Sequence, residues 1–232
     1  MSTLRRISVL SVSLALWGGF AATPVLALDA TGLYDTGPAQ DASFVRFVNG
    51  TDEKVAITNS KNKGKVELST QGAARVSLFL PIKAGAKLSA NVVVGGKTLP
   101  LELVAKPSEF ITVATVPSGP GAFKTMVLRE QPTEFNALRA SVAVFNFDAN
   151  CASAEVNSAG KTDGIFKNAT SQAIQRRAVN PIKAQVQWAC AGKPLGTALD
   201  MGSLQAGERY SIFLLPAKQV SLAVQDELGA GK

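Results

Sequence analysis

Pro181-Ile182-Lys183-Ala184-Gln185-Val186-Gln187-Trp188-Ala189-Cys190 decides how this chain is read. In an extended backbone Ile182, Ala184, Val186, Trp188 and Cys190 fall on one side and Lys183, Gln185 and Gln187 on the other. Successive side chains of a strand point to opposite faces, so a period of two with the apolar set kept apart predicts a half-buried antiparallel strand. The same signature recurs in Leu99, Leu101 and Leu103, in Tyr210, Ile212 and Leu214, and in Val220, Leu222 and Val224. Turn signals stand between the runs at Asn49-Gly50, Lys63-Gly64, Gly95-Gly96, Ser118-Gly119-Pro120-Gly121, Ala159-Gly160 and Gly192-Lys193-Pro194. Short strands at this spacing predict sandwiches of two sheets. Long helical periodicity is missing; Thr170 to Ala178 is the one stretch with room for a short helical turn.

The opening tetrapeptide also stands one hundred positions earlier, as Pro81-Ile82-Lys83-Ala84. Gly95-Gly96-Lys97-Thr98-Leu99 trails the first copy and Ala191-Gly192-Lys193-Pro194-Leu195 the second. Each half opens alike, with Phe44-Val45-Arg46-Phe47-Val48-Asn49 in one and Val142-Ala143-Val144-Phe145-Asn146-Phe147 in the other. Two copies of roughly 95 residues suit tandem domains better than a solenoid; the competing explanation is chance likeness among β-rich runs. The expected organisation is a signal peptide over 1–27, an extended arm over 28–41, a first β-sandwich over 42–130, a polar linker over 131–138 and a second β-sandwich over 139–232.

Arg5 and Arg6 precede an apolar run from Ile7 to Phe20, and Val25-Leu26-Ala27 places small residues where a signal peptidase cuts. This predicts export with cleavage after Ala27; the apolar run is shorter than the ~20 residues a membrane span requires. Removing the signal takes two of the 24 Lys and Arg and none of the 17 Asp and Glu, leaving a net charge of +5. Outside the cytoplasm that excess favours acidic polysaccharide, lipid head groups or acidic proteins over nucleic acid, unless the lysines are simply solvated. Cys151 and Cys190 are the only cysteines, an even count that in an oxidising compartment predicts one disulfide, with two free thiols as the alternative.

The chain contains no histidine. That excludes Ser-His-Asp and Cys-His relays and every imidazole-dependent metal site or base, and an oxidised cysteine pair removes thiolate chemistry as well. Asp148 and Glu155 are the carboxylates that could be imagined in glycosidase-like work, but their spacing does not support it and they read as exposed surface acids. Gly96-Lys97-Thr98 and Gly160-Lys161-Thr162 resemble the end of a phosphate-binding loop, yet Asn91 and Glu155 stand where its first glycine belongs. Asn49-Gly50-Thr51 and Asn168-Ala169-Thr170 match glycosylation sequons and serve equally well as turns. Trp188 reads as a core residue beside the cysteines, while Tyr34, in the arm, is the aromatic candidate for an interaction. No Ser-Lys spacing, such as Ser60-Lys61, stands in an activating context.

The arm Leu33-Tyr34-Asp35-Thr36-Gly37-Pro38 leading into Ala42-Ser43-Phe44-Val45-Arg46-Phe47-Val48-Asn49, together with Phe135-Asn136-Ala137-Leu138-Arg139-Ala140, resembles the AlgF family of alginate biosynthesis proteins. The resemblance implies two tandem β-sandwiches and a periplasmic accessory role in alginate O-acetylation in a Gram-negative bacterium. It implies work beside a membrane-bound acyl transferase and periplasmic O-acetyltransferases that carry the nucleophile. It brings no catalytic residue, cofactor or metal to carry over. The reading favoured is an adaptor that organises those enzymes; the alternatives are a module that contacts the anionic polymer and an acetyl carrier.

Overall fold

The computed structural model describes residues 42–59, 64–132, 136–171 and 173–229; the signal, its cleavage point after Ala27, the arm with Tyr34, and Ser60-Lys61 lie outside them. The first half contributes β1 (Ala42–Asn49), β2 (Val55–Asn59), β3 (Lys65–Leu68), β4 (Leu80–Lys83), β5 (Lys87–Val94), β6 (Lys97–Val104), β7 (Phe110–Gly119) and β8 (Ala122–Glu130). The second contributes β9 (Ala140–Asn146), β10 (Ala154–Ser158), β11 (Gly164–Ala169), β12 (Gln175–Val179), β13 (Lys183–Cys190), β14 (Lys193–Ser203), β15 (Arg209–Leu214) and β16 (Ser221–Gln225).

These strands make four sheets with the orders β3-β2-β5-β6, β4-β1-β7-β8, β12-β9-β15-β16 and β11-β10-β13-β14. Adding eight to each strand number of the first half reproduces the second, so the chain is one sandwich topology written twice. The sheets are mostly antiparallel, but β1 pairs with β7 and β9 with β15 in parallel. Alternation within a strand gives no sign of the direction of its neighbour, which is why the sequence predicts purely antiparallel sheets.

Two buried asparagines mark the repeat. Asn49, at the end of β1, donates from Nδ2 to the carbonyls of Glu53 and Ser69 at 2.8 and 2.9 Å and accepts from the Thr51 N–H. Asn146, at the end of β9, donates to the carbonyls of Cys151 and Ala169 at 2.6 and 2.9 Å and accepts from the Asp148 N–H. The repeated Pro-Ile-Lys-Ala does not coincide with this framework. Pro81 to Lys83 lies in β4, whereas Lys183 opens β13 as Lys87 opens β5. The duplication is in the fold, and the literal repeat is out of register with it.

Each sandwich has its own core. Val45, Phe47, Ile57, Val92, Leu101 and Ile111 fill the first; Val142, Val144, Val156, Trp188, Ile212 and Leu214 fill the second, with Cys151 among them. A third core joins the two inner sheets, where Val48, Ala114 and Val116 meet Phe145, Phe147 and Phe213. β7 and β15 are therefore buried on both faces, and Ser211 and Phe213 are as inaccessible as Ile212 and Leu214. The described residues all fall within one compact unit.

Three expectations change, and a fourth resolves. Gln175–Val179 is a strand paired with β9 and not part of a helical turn, because an edge position on the inner sheet overrides weak local preference. Ile182, placed on the buried face by its parity, precedes the first paired residue of β13 and is 56% exposed. Asp148 is fully buried instead of exposed: its carboxylate accepts from the Asn150 N–H at 3.0 Å and holds the turn after β9. Asn49 is fully buried with its amide hydrogens committed, so of its two readings the turn is the one that holds.

Candidate functional site

Arg46 interrupts the apolar run of β1. Strand alternation turns it away from Val45 and Phe47, which fill the first sandwich, and toward the second half with Val48. There it is 1% exposed. Its guanidinium lies over the rings of Phe79, Phe145 and Phe213, at 4.4, 4.8 and 4.8 Å from their centroids. Nη1 meets Asp226 Oδ1 at 2.7 Å, Nε donates to Thr112 Oγ1 and Nη2 to Ser211 Oγ, both at 2.9 Å. A planar donor fork stacked between aromatic faces is the geometry that arginine, and not lysine, can satisfy.

The network continues outward. Arg176, from β12, pairs with Glu130 at the end of β8 and reaches Asp226 Oδ2 at 3.4 Å. It also donates to the carbonyl and hydroxyl of Ser141 at 3.3 and 3.2 Å. Arg209, at the start of β15, meets Glu130 Oε2 at 2.9 Å and stacks 4.7 Å from the Phe110 centroid. Beyond β16 the chain crosses to the first half, where the Phe79 N–H donates to the Glu227 carbonyl at 2.9 Å and the Gly229 N–H to the Phe79 carbonyl at 2.8 Å. Charge, rings and backbone thus clasp the two halves along one seam.

Burial sets the electrostatics. It pulls the Arg46 guanidinium below its ordinary value, opposed by Asp226, and does the same at Arg209, where Arg176 adds repulsion. Burial alone would push the Asp226 carboxyl up. Arg46, the Ser211 hydroxyl, Arg176 and Arg209 outweigh it and hold that carboxyl below the usual aspartate range. These charges are committed to each other.

The remaining candidates resolve into structure. Cys151 and Cys190 are joined, with Cα atoms 5.8 Å apart, tying the turn after β9 to the end of β13. The first half anchors its matching turn with Arg75, whose Nη1 donates to the carbonyls of Asn49 and Thr51 at 3.0 and 2.8 Å. Trp188 is wholly buried in the second core. Gly95 and Gly96 make the β5–β6 hairpin turn, and Lys97 donates to the Gly121 carbonyl. Glu155 is half-buried on β10, and Asn168 is exposed, its Oδ1 accepting from Ser153 at 3.2 Å. A groove of about 480 Å³ beside that hairpin is floored by Ala56 and Val93 and bordered by Lys54 and Glu67. Lys65 already engages Glu67 at 2.5 Å. Among the described residues no group of three or more His, Cys, Asp or Glu could hold a metal ion, and no helix is long and apolar enough to cross a membrane.

The seam lies outside every sequence-derived candidate. The available signal was Arg46 itself, a charge inside Phe44-Val45-Arg46-Phe47-Val48, where a strand buried on both faces must supply a partner.

A family model described as "Alginate O-acetyl transferase AlgF" matches residues 10–210. No curated protein matches the chain. Among solved structures, the Bacillus anthracis TIE protein is similar at 10% identity and a TM-score of 0.26, over 75% of this chain and 34% of that one. The chain thus spans about a third of that protein's length. A "putative cell adhesion protein" from Bacteroides ovatus is similar at 8% identity and a TM-score of 0.26, over 84% of this chain and 99% of that one.

Proposed function

The chain belongs to the AlgF family, and on that premise we propose that it serves alginate O-acetylation as a non-catalytic periplasmic adaptor, holding the acetylation enzymes in fixed relation. Membership ties the chain to alginate O-acetylation; the adaptor role is the reading the geometry supports best. The observation that carries it is the fusion of the two inner sheets, which turns two sandwiches into one body with its two outer sheets facing away from the joint. A body of that kind fixes the separation of whatever binds its two ends. The absence of histidine from the whole chain supports a role without catalysis, and the Cys151–Cys190 bridge accords with an oxidising compartment such as the periplasm. The partners expected are the periplasmic O-acetyltransferases and the membrane-bound acyl transferase. Polymer contact draws on the net positive charge, but exposed lysines on the first outer sheet are interleaved with acids, as in Lys65–Glu67 and Lys87–Glu102.

The test compares alginate exported with and without this gene, and purified protein with each O-acetyltransferase. An adaptor predicts loss of O-acetyl ester with polymer still exported, a stable complex, and no acetyl group on the chain after exposure to an acetyl donor. Unchanged ester content would overturn the reading. An acetylated Ser or Thr would replace it with a carrier, and salt-sensitive binding to alginate alone with a polymer-binding module.

A further inference from the structure

Four open sheets have eight edge strands, and an uncovered edge presents backbone donors and acceptors to any extended chain. Seven of the eight are blunted. β3 and β4 have four residues each, and β4 contains Pro81 and follows Phe79, which bridges Leu228. β6 carries Pro100 midway between charged residues. β11 and β14 belong to ladders broken by register shifts. β12 has five residues, one of them Arg176 of the seam, and the five-residue β16 lies beside β14. β8 differs: from Phe123 to Glu130 it pairs with β7 in unbroken register, with neither proline nor glycine. Among the described residues no strand pairs with its other side.

The border of that edge is chemically marked. β6 and β8 are edges of facing sheets on one side of the sandwich, tied at one end by Lys97 to the Gly121 carbonyl and at the other by Arg129 to the Val104 carbonyl. Val127 on β8 is 38% exposed and Val104 50%, two of the few large apolar side chains left open. Lys97 and Arg129 line this border, where Arg129 already meets the buried Glu109 carboxylate at 2.8 Å, while Lys124 stands exposed on the opposite face of β8. With Arg129 matched by Glu109 and the exposed Glu102 of β6 held by Lys87 at 2.7 Å, the outward charge left on β8 is that of Lys124.

We propose that β8 is the docking edge for an extended segment of a partner protein, which adds to the inner sheet as a strand, lays an apolar side chain against Val127 on one face, and presents a carboxylate to Lys124 on the other. Backbone pairing supplies affinity in this mode, and the alternate side chains supply selectivity. The inference rests on the adaptor reading and names the surface it uses.

Residue-resolved amide exchange of the full chain, alone and with the purified periplasmic O-acetyltransferases, tests it. Alone, alternate amides from Phe123 to Glu130 should exchange at least about tenfold faster than those bonded to β7; in the complex they should slow by a similar factor. Val127→Lys, which places a charge on the edge, should weaken the complex at least about tenfold while leaving the unfolding transition of the free protein in place. A complex that forms with β8 unprotected overturns this inference and leaves the adaptor reading standing. Protection of the outward amides in the free protein overturns it too, because the edge is then already covered. No complex with any of these enzymes overturns both.

Discussion

At the scale of the residue, Arg46 and Asp226 illustrate how a buried ion pair is costly to create and costlier to break. Replacing Arg46 with alanine leaves a carboxylate buried without its main partner, and such losses run to about 3–5 kcal/mol. The expected result is a lower urea midpoint followed by Trp188 fluorescence, although Trp188 sits in the other sandwich. Arg46→Lys should recover little, since an ammonium cannot serve Thr112, Ser211 and Asp226 in one plane between three rings. Asp226 also gives the molecule an acid limit. Its folded carboxyl lies below the value of about 3.9 expected for the unfolded chain. The stability it contributes is therefore complete above about pH 4 and is lost as pH falls through the folded value. Asp226→Asn should flatten the acid limb of the stability curve measured by urea titration at several pH values; an unchanged limb would remove Asp226 from this role. The sequence displayed Arg46 plainly, but its partner lies 180 residues away, and a single sequence gives no means of joining two such positions. Asp148 was misplaced for a related reason, because a carboxylate that accepts from its own turn looks in sequence like any surface acid.

At the scale of the element, the turns separate what the two copies share from what they do not. The β5–β6 hairpin turns through Gly95 and Gly96, at φ +53° and +72°, and the β13–β14 hairpin through Ala191 and Gly192, at φ +49° and +75°. A Cβ at Gly95 would stand 3.0 Å from the Phe123 ring. Gly95→Ala should therefore cost about 2 kcal/mol, combining backbone strain with that contact. Ala191→Gly relieves strain in the matching turn and should stabilise by about 0.5 kcal/mol. Thermal unfolding of the two variants checks both signs. Periodicity alone makes β6 and β13 legible in the sequence, since each keeps an apolar face. It is less informative where strands are buried on both sides, and it misses β12, whose Gln175-Arg176-Arg177-Ala178-Val179 has no apolar face to declare. The repeated tetrapeptide points to a true duplication through residues that are not equivalent. The equivalent ones, Asn49 and Asn146, are identified by their bonds and not by their surroundings in the sequence.

At the scale of the whole molecule, two sandwiches share a third core and a charged clasp, which separates them from beads on a tether. Probes in both halves should report one coincident transition. Either half produced alone should fail to reach a native fold, because Phe145 and Phe213 on one side, or Val48 and Val116 on the other, would face water. Two separated transitions in the intact chain would contradict this. The clasp also bears on the order of events in a chain delivered amino end first. Arg46 emerges early and its carboxylate very late, so during synthesis or translocation the first half carries an unpaired cation and Phe79 without their cover. The joint can close only when the last strand and the residues behind it have arrived. Until then the protein advertises itself as unfinished, and a product cut short before Asp226 would stay in that condition, open to chaperones and proteases that the completed molecule no longer attracts.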